Sequence, residues 1–241
     1  MVRYRVALAV LFLAIVPSAV LAQLDTLWLR QYDSGLRDED WVSDMVVDRD
    51  GSVLVCGTGY AGGAGTSIIV QKYRPEGTLL WTRVHSGAQN QDDSASALVV
   101  DADANVYVCG TTRHVPGQGF EMFVAKYSPN GDSLWARTFS RGSGEDVALA
   151  MCLTSTGRVA VTGYSAEPTS QFDIAFRTLM LNPANGDTFW TRTYLRDDED
   201  VAGAICADDA GAVYVTGYSY SDRTDYASRP SSTTRTEPGN G

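Results

Sequence analysis

The sequence is poor in the side chains that most catalytic sites use. Its 241 residues include only two histidines, His85 and His114. Both fall in predicted loops and neither recurs in the repeat described below, so we expect solvated side chains rather than bases or metal ligands. There is no Gly-x-Ser-x-Gly motif, phosphate-binding loop or His-Glu-x-x-His motif. Because catalysis needs convergent acids, bases and nucleophiles, the sequence predicts a protein that is not an enzyme.

Positive charge is also scarce. The sequence has 19 Lys and Arg against 29 Asp and Glu, which gives a formal net charge of −10. A surface of this sign repels phosphate backbones and anionic lipid, so nucleic acid and anionic membranes are excluded as expected partners.

Cysteines are few and widely spaced. The four are Cys56, Cys109, Cys152 and Cys206. They lie inside apolar strand-like runs, where a thiol acts as a small hydrophobe, so we expect buried free thiols. A disulfide remains the alternative if the chain is exported, whereas the short spacing of zinc ligands is absent.

Only one long apolar run is present, from Val6 to Val16. It follows Arg3 and Arg5 and precedes the small-residue segment that ends at Ala22, which is the layout of a secretory signal peptide. Eleven residues are about half of what a membrane-spanning helix needs. We expect residues 1–22 to be cleaved. The mature protein would then have no membrane-inserted segment and would lie in the periplasm, at the cell surface or outside the cell. An uncleaved membrane anchor is the alternative.

The remaining sequence is a repeat of about 53 residues. Three kinds of landmark keep this period: Trp28, Trp81, Trp135 and Trp190; Asp40, Asp93, Asp146 and Asp200; and Gly57, Gly110, Gly163 and Gly217. Each Asp precedes its Gly by 17 residues. Self-similarity at such a period is typical of solenoids and propellers.

Each repeat reads as four short antiparallel strands. Two apolar runs separated by a turn, such as Asp48–Gly51, form a predicted hairpin. A third strand and a strand that carries the Trp follow. Units of this kind bury both faces by stacking, so the sequence predicts an all-β fold, a β-propeller of four-stranded blades in which the Trp packs between neighbours. A parallel β-helix is the weaker alternative.

The repeat resembles the bacterial seven-bladed β-propeller (SBBP) repeat. The shared pattern is Trp-x-Arg, then Asp, an apolar hairpin that closes on Val-Cys-Gly-Thr or Val-Thr-Gly-Tyr, and Lys-Tyr-x-x-x-Gly-x-x-x-Trp. The third copy departs from it at Met180 and Leu181. The resemblance implies an exported or cell-surface propeller, often part of a longer chain, with no common enzymatic activity.

The array spans residues 23–227 and breaks off in its fourth copy. Residues 228–241 are polar, and the apolar third strand is missing from them. Counting from the first copy places the third-strand Tyr at position 233 and the turn Gly at 237, and a shifted reading frame permits both. We therefore expect a frameshift near codon 228 that truncates a longer propeller; a genuine polar tail is the alternative. The uncovered blade edges predict possible self-association.

The recurring aspartates invite a functional interpretation. Their fixed place in every repeat favours loops held by hydrogen bonds to backbone amides over a catalytic carboxylate ring. Asp48–Gly51 and Asp101–Asp103 resemble fragments of a calcium loop but lack its closing Glu, so no cofactor is expected and calcium is a weak possibility.

Two functions remain. The first is a non-catalytic exported scaffold that binds a protein or glycan through its variable loops, which are rich in Tyr, Ser and Gly: Tyr60–Thr66, Thr111–Gly119, Tyr164–Gln171 and Tyr218–Thr224. The alternative is a quinoprotein-like enzyme, because Gly77 to Trp81 is similar to the end of a quinoprotein dehydrogenase blade.

Overall fold

The computed structural model describes residues 26–33, 40–61, 65–87, 91–113, 119–168, 173–196 and 199–220, together with the backbone of 233–236. Within these ranges the chain forms 15 β-strands and no helix. No segment of the described chain is a helix with the length and hydropathy to cross a membrane. The residues predicted to form the signal peptide, and His114, lie outside the described ranges.

Three complete repeats form four antiparallel strands each, in the predicted order. Their bounds are β1 (Trp41–Val47), β2 (Val53–Tyr60), β3 (Thr66–Tyr73) and β4 (Leu79–His85); β5 (Ser94–Val100), β6 (Val106–Thr112), β7 (Glu121–Tyr127) and β8 (Ser133–Phe139); β9 (Asp146–Leu153), β10 (Val159–Ala166), β11 (Ile174–Leu181) and β12 (Thr188–Tyr194). We call these blades one, two and three. Consecutive strands pair within each blade.

The fourth repeat contributes β13 (Glu199–Ala207), β14 (Val213–Tyr220) and β15 (Thr233–Thr236), which we call blade four. The polar segment therefore does supply a strand, paired with β14. Val213 faces Thr236, whereas the equivalent pairs in blades one to three are Val53 with Tyr73, Val106 with Tyr127 and Val159 with Leu181.

This register places the residue equivalent to Tyr73 of blade one at position 236, not at the expected position 233. The distance from the repeat glycine to this position is 16, 17 and 18 residues in blades one to three, and 19 in blade four. The expectation was wrong because it was counted from the first copy alone, whereas the intervening loop lengthens along the chain. The frameshift itself stays a prediction, which the nucleotide sequence across codons 220–241 tests.

The blades pack face to face. Three hydrophobic clusters lie between blades one and two, two and three, and three and four. The first strands of successive blades are neighbours, as expected for inner strands around a common axis. The chain is thus an array of β-propeller blades, and among its described strands no pairing joins the first blade to the fourth.

The repeat glycines are explained by a close approach inside each blade. The first strand bulges opposite Gly57, Gly110, Gly163 and Gly217. A Cβ at these positions would overlap a first-strand carbonyl oxygen, that of Trp41, Ser94, Val147 or Val201. Because backbone atoms at a bulge cannot move aside cheaply, only glycine fits.

Candidate functional site

The blades present their variable loops at one end, which we call the loop face. Because the strands of a blade are antiparallel, this end contains the starts of its first and third strands and the ends of its second and fourth strands. Pairing places Trp41 opposite Thr58, Tyr60 opposite Thr66 and Ile68 opposite His85. The repeat aspartates stand at this end, just before or at the start of β1, β5, β9 and β13.

Three of these aspartates hold the loops that connect successive blades. The Asp93 carboxylate accepts hydrogen bonds from the backbone N–H of Gly87 and, at 3.3 Å, from that of Arg113. Asp146 accepts from the N–H of Arg141 at 2.9 Å, and Asp200 from that of Arg196 at 2.6 Å. Because all three carboxylates are buried, the bonds fix each connecting loop to the strand that follows.

Asp93 and Asp200 each have a second partner on the second strand, two residues after the repeat glycine. Thr112 Oγ1 donates to Asp93 at 2.5 Å, and the Ser219 hydroxyl donates to Asp200. In blade one the same position is Gly59, where a Cβ would collide with the Asp40 carboxylate. Blade one therefore holds its aspartate in a different setting from the other blades.

Blade three holds a buried ion pair that sequence reasoning missed. Arg177 Nη1 lies 2.9 Å from Asp146 Oδ1 and 3.4 Å from the Ser165 hydroxyl. Burial lowers the pKa of the Arg177 guanidinium, and the neighbouring Asp146 carboxylate opposes this shift. The signal was an arginine inside the apolar strand Ile174–Leu181, at the position that Ile69 and Phe123 occupy in the earlier blades.

Other charged and aromatic groups form contacts with one another on the loop face. Arg141 forms an ion pair with Glu167, and Arg113 lies 3.9 Å from Glu145 and over the ring of Phe120. The Tyr218 hydroxyl donates to Glu199 at 2.8 Å. Partial burial and this bond raise the pKa of Tyr218 to about 12.

A cavity of about 230 Å³ opens on blade one. Arg30, Tyr32, Asp40 and Trp41 contribute its polar and aromatic wall, and Val55 and Ile69 contribute to its apolar floor. It lies between residues 26–33 and the side of blade one that faces away from blade two.

The aspartates of the hairpin turns lie at the opposite end of the blades and organise those turns. Asp48 accepts from the backbone N–H of Asp50 and Ser52, and pairs with Lys72 at 3.0 Å. Asp101 accepts from the N–H of Asp103 and Asn105. No cluster of His, Cys, Asp or Glu fit to hold a metal occurs within the described ranges.

Three of the four repeat tryptophans donate a hydrogen bond to the next blade, and Trp190 packs against the cluster between blades three and four. Trp28, Trp81 and Trp135 donate their indole N–H to the carbonyl oxygens of Pro75, Pro129 and Pro183, at 2.7, 3.0 and 3.1 Å. Arg30 and Arg83, two residues after their tryptophans, donate to the carbonyl oxygens of Gly77 and Gly131. The sequence predicts the packing of the Trp between blades, whereas the part that the Arg plays was not foreseen.

Two expectations about single residues need correction. His85 is not a loop residue: it ends β4, is half-buried and stacks on the Phe123 ring at 3.9 Å between centroids. Among the cysteines, which are all free, Cys56 and Cys109 are buried as expected. Cys152 is half-buried against the cluster between blades three and four. Cys206 is exposed, because no described blade covers that side of blade four.

Comparison with known proteins finds matches among solved structures only. No family model and no curated protein matches the chain. Among solved structures, an endo-arabinase from Bacteroides thetaiotaomicron matches with 13% identity and a TM-score of 0.49, over 89% of this chain and 81% of the arabinase. The gluconolactonase XC5397 from Xanthomonas campestris matches with 14% identity and a TM-score of 0.43, over 73% of this chain. The chain spans about half of that protein, 55% of its length.

Proposed function

We propose that this chain is a non-catalytic, exported binding scaffold, which presents the variable loops of its loop face to a protein or glycan outside the cytoplasm. The resemblance to SBBP repeats supports this class. The observation that carries the proposal is the combination of constant anchors with variable loops. Asp93, Asp146 and Asp200 hold the connecting loops by the same bonds, while the loops between second and third strands differ in length and sequence.

The chemistry of the face suits recognition rather than turnover. The three buried aspartates have donors on their carboxylate oxygens, and Arg177 is committed to Asp146. What the loop face offers to a partner is aromatic and charged side chains at its rim, such as Tyr60, Arg113 and Glu145. Tyrosine and arginine on a rigid framework provide contact area at small entropic cost.

Binding by the purified chain tests the proposal. Residues 23–241 are screened against surface proteins of the producing cell and against a glycan array, and the hit is measured by calorimetry. We expect Tyr60→Ala and Arg113→Ala to weaken binding about tenfold, as for contacts of roughly 1 kcal/mol or more. Phe189→Ala, a half-exposed aromatic on the outer strand β12, is the matched control and leaves affinity unchanged.

The quinoprotein-like alternative is tested on the same sample. A bound quinone gives an absorption band beyond the aromatic region, and a one-to-one metal is visible by elemental analysis. Either result, or turnover that survives purification, overturns the non-catalytic proposal. Equal affinity of the loop variants and the wild type would overturn the role of the loop face.

A further inference from the structure

Blade one has an uncovered side that is an interface in every other blade. We call the side toward the preceding blade the leading face. Two and five residues after the repeat aspartate, blade two places Ala95 and Leu98, which are 4% and 3% exposed against blade one. The equivalent Val42 and Met45 of blade one are 69% and 62% exposed. Blade one therefore exposes apolar residues at the positions that the preceding blade covers in blade two.

Blade four has the complementary uncovered side, its trailing face. Six residues after the repeat aspartate, Val46, Val99 and Cys152 pack against the following blade, whereas Cys206 is exposed. Tyr214 donates to Asp208 as Tyr107 donates to Asp101. Yet Tyr107 is buried under the next blade, and Tyr214 is only half-buried.

The start of the described chain carries the Trp-x-Arg motif of a fourth strand, although residues 26–33 form no strand of their own. Trp28 and Arg30 dock on blade one through Pro75 and Gly77, as Trp81 and Arg83 of β4 dock on blade two. In the complete blades the strand with this motif pairs with a third strand. No sheet of the described chain includes residues 26–33, and Leu27 and Leu29 are 90% and 78% exposed.

Among the described strands, blade four has no fourth strand of the kind that residues 26–33 resemble in sequence. Its third strand, β15, ends its sheet, so within the described chain one edge of β15 carries unpaired backbone groups. An open edge of this kind pairs readily with another extended segment.

We propose that a second copy of this chain covers both surfaces. Residues 26–33 of one copy add to β15 of the other as its fourth strand, and the leading face of blade one packs on the partner's trailing face. The contact continues the interface that already joins the blades, with Val42 and Met45 in the places of Ala95 and Leu98. When this contact forms twice about a two-fold axis, the two arrays of four blades close into one ring. The ring then has about eight blades, which is the upper end of the common range of about four to eight.

The mass of the purified chain tests this proposal. We expect residues 23–241 to run as two chains by light scattering at micromolar concentration, and to remain so in high salt because the seam is apolar. Met45→Glu places a charge on the leading face and is expected to give one chain with an unchanged circular dichroism spectrum. Leu134→Glu, at a half-exposed position on β8, is the matched control and keeps the wild-type mass.

Reactivity of Cys206 provides a readout that does not depend on any variant folding. In the two-chain ring its thiol is covered, so a thiol reagent reacts roughly tenfold more slowly than after dilution to a single chain. In Met45→Glu the thiol reacts quickly at all concentrations. Wild-type protein with the mass of one chain overturns the proposal, whether Cys206 reacts quickly, as in an open array, or slowly, as in a chain closed on itself. A ladder of larger assemblies also overturns the closed ring.

Discussion

Blades one and two share one pattern of residues but differ in what surrounds them. Leu98 of blade two and Met45 of blade one both stand five residues after the repeat aspartate, and they are 3% and 62% exposed. The difference shows that a residue on the face of a blade is buried only when a neighbouring blade packs against it. Stability is then a sum of blade and interface terms, and an internal blade gains two interfaces where an end blade gains one.

The largest effect is expected from removing the tryptophan of an internal interface. Trp135 is buried in the cluster between blades two and three and donates to Pro183. Trp135→Ala should lower the free energy of unfolding by about 3–5 kcal/mol, the usual cost of truncating a buried Trp. Trp28→Ala removes the same motif from the end of the array, where the indole is only half-buried, and should cost less than half as much.

Urea unfolding followed by tryptophan fluorescence and circular dichroism measures both variants. Each is compared at a concentration where its mass by light scattering is that of one chain. Equal losses for Trp28→Ala and Trp135→Ala would contradict the distinction between internal and end interfaces.

The second prediction concerns the residues around the repeat aspartate, which are Arg177 and Ser165 in blade three and Phe123 and Thr112 in blade two. Arg177→Ala leaves Asp146 buried without its cation, which should cost about 3–5 kcal/mol. Arg177→Phe combined with Ser165→Thr places in blade three the side chains that blade two holds as Phe123 and Thr112. This double variant should stay within about 1 kcal/mol of the wild type, since an apolar residue often replaces a buried ion pair at little cost.

Thermal and urea unfolding of both variants measure the difference. A double variant as unstable as Arg177→Ala would show that the ion pair itself, rather than the filling of its site, stabilises blade three.

These two comparisons mark what the sequence predicts and what it does not. Trp28, Trp81 and Trp135 could be placed between blades because a period of about 53 residues fixes their position relative to each turn. Arg177 could not be assigned, because a charge inside an apolar strand identifies neither its partner nor its burial. Strand β15 was missed since its polar residues lack the alternation that predicts a strand. Exposure of Cys206 depends on a neighbouring blade, which the repeat alone does not reveal.

Alkaline pH gives a third, smaller effect that depends on interface burial. Burial raises the pKa of the Cys56 thiol to about 12, and it also raises the pKa of Cys109. An unfolded thiol titrates near pH 8.5, so the folded chain keeps protons that the unfolded chain releases. This contribution to stability is complete below pH 8.5 and is lost as the pH rises toward 12.

Replacing both thiols isolates this contribution. Thr162 and Thr216 occupy the equivalent positions of blades three and four, so Cys56→Thr with Cys109→Thr is a substitution that the repeat already contains. Between pH 8 and pH 10, the urea midpoint should fall less in the double variant than in the wild type. An identical fall in both proteins would mean that the buried thiols do not carry this part of the pH dependence.

The smallest effect is expected at His85. Blade one has an imidazole ring at this position, whereas blade two has a phenyl ring. His85 stacks on Phe123, and Phe139 holds the equivalent position in blade two. His85→Phe should change stability by less than about 0.5 kcal/mol, because the stacked pair is kept, whereas His85→Ala should lose about 0.5–1.5 kcal/mol, the range for an aromatic pair. Thermal unfolding of the two variants at one pH measures this. If His85→Phe were as destabilising as His85→Ala, the imidazole would contribute through its nitrogens, and blade one would differ from blade two in chemistry as well as in exposure.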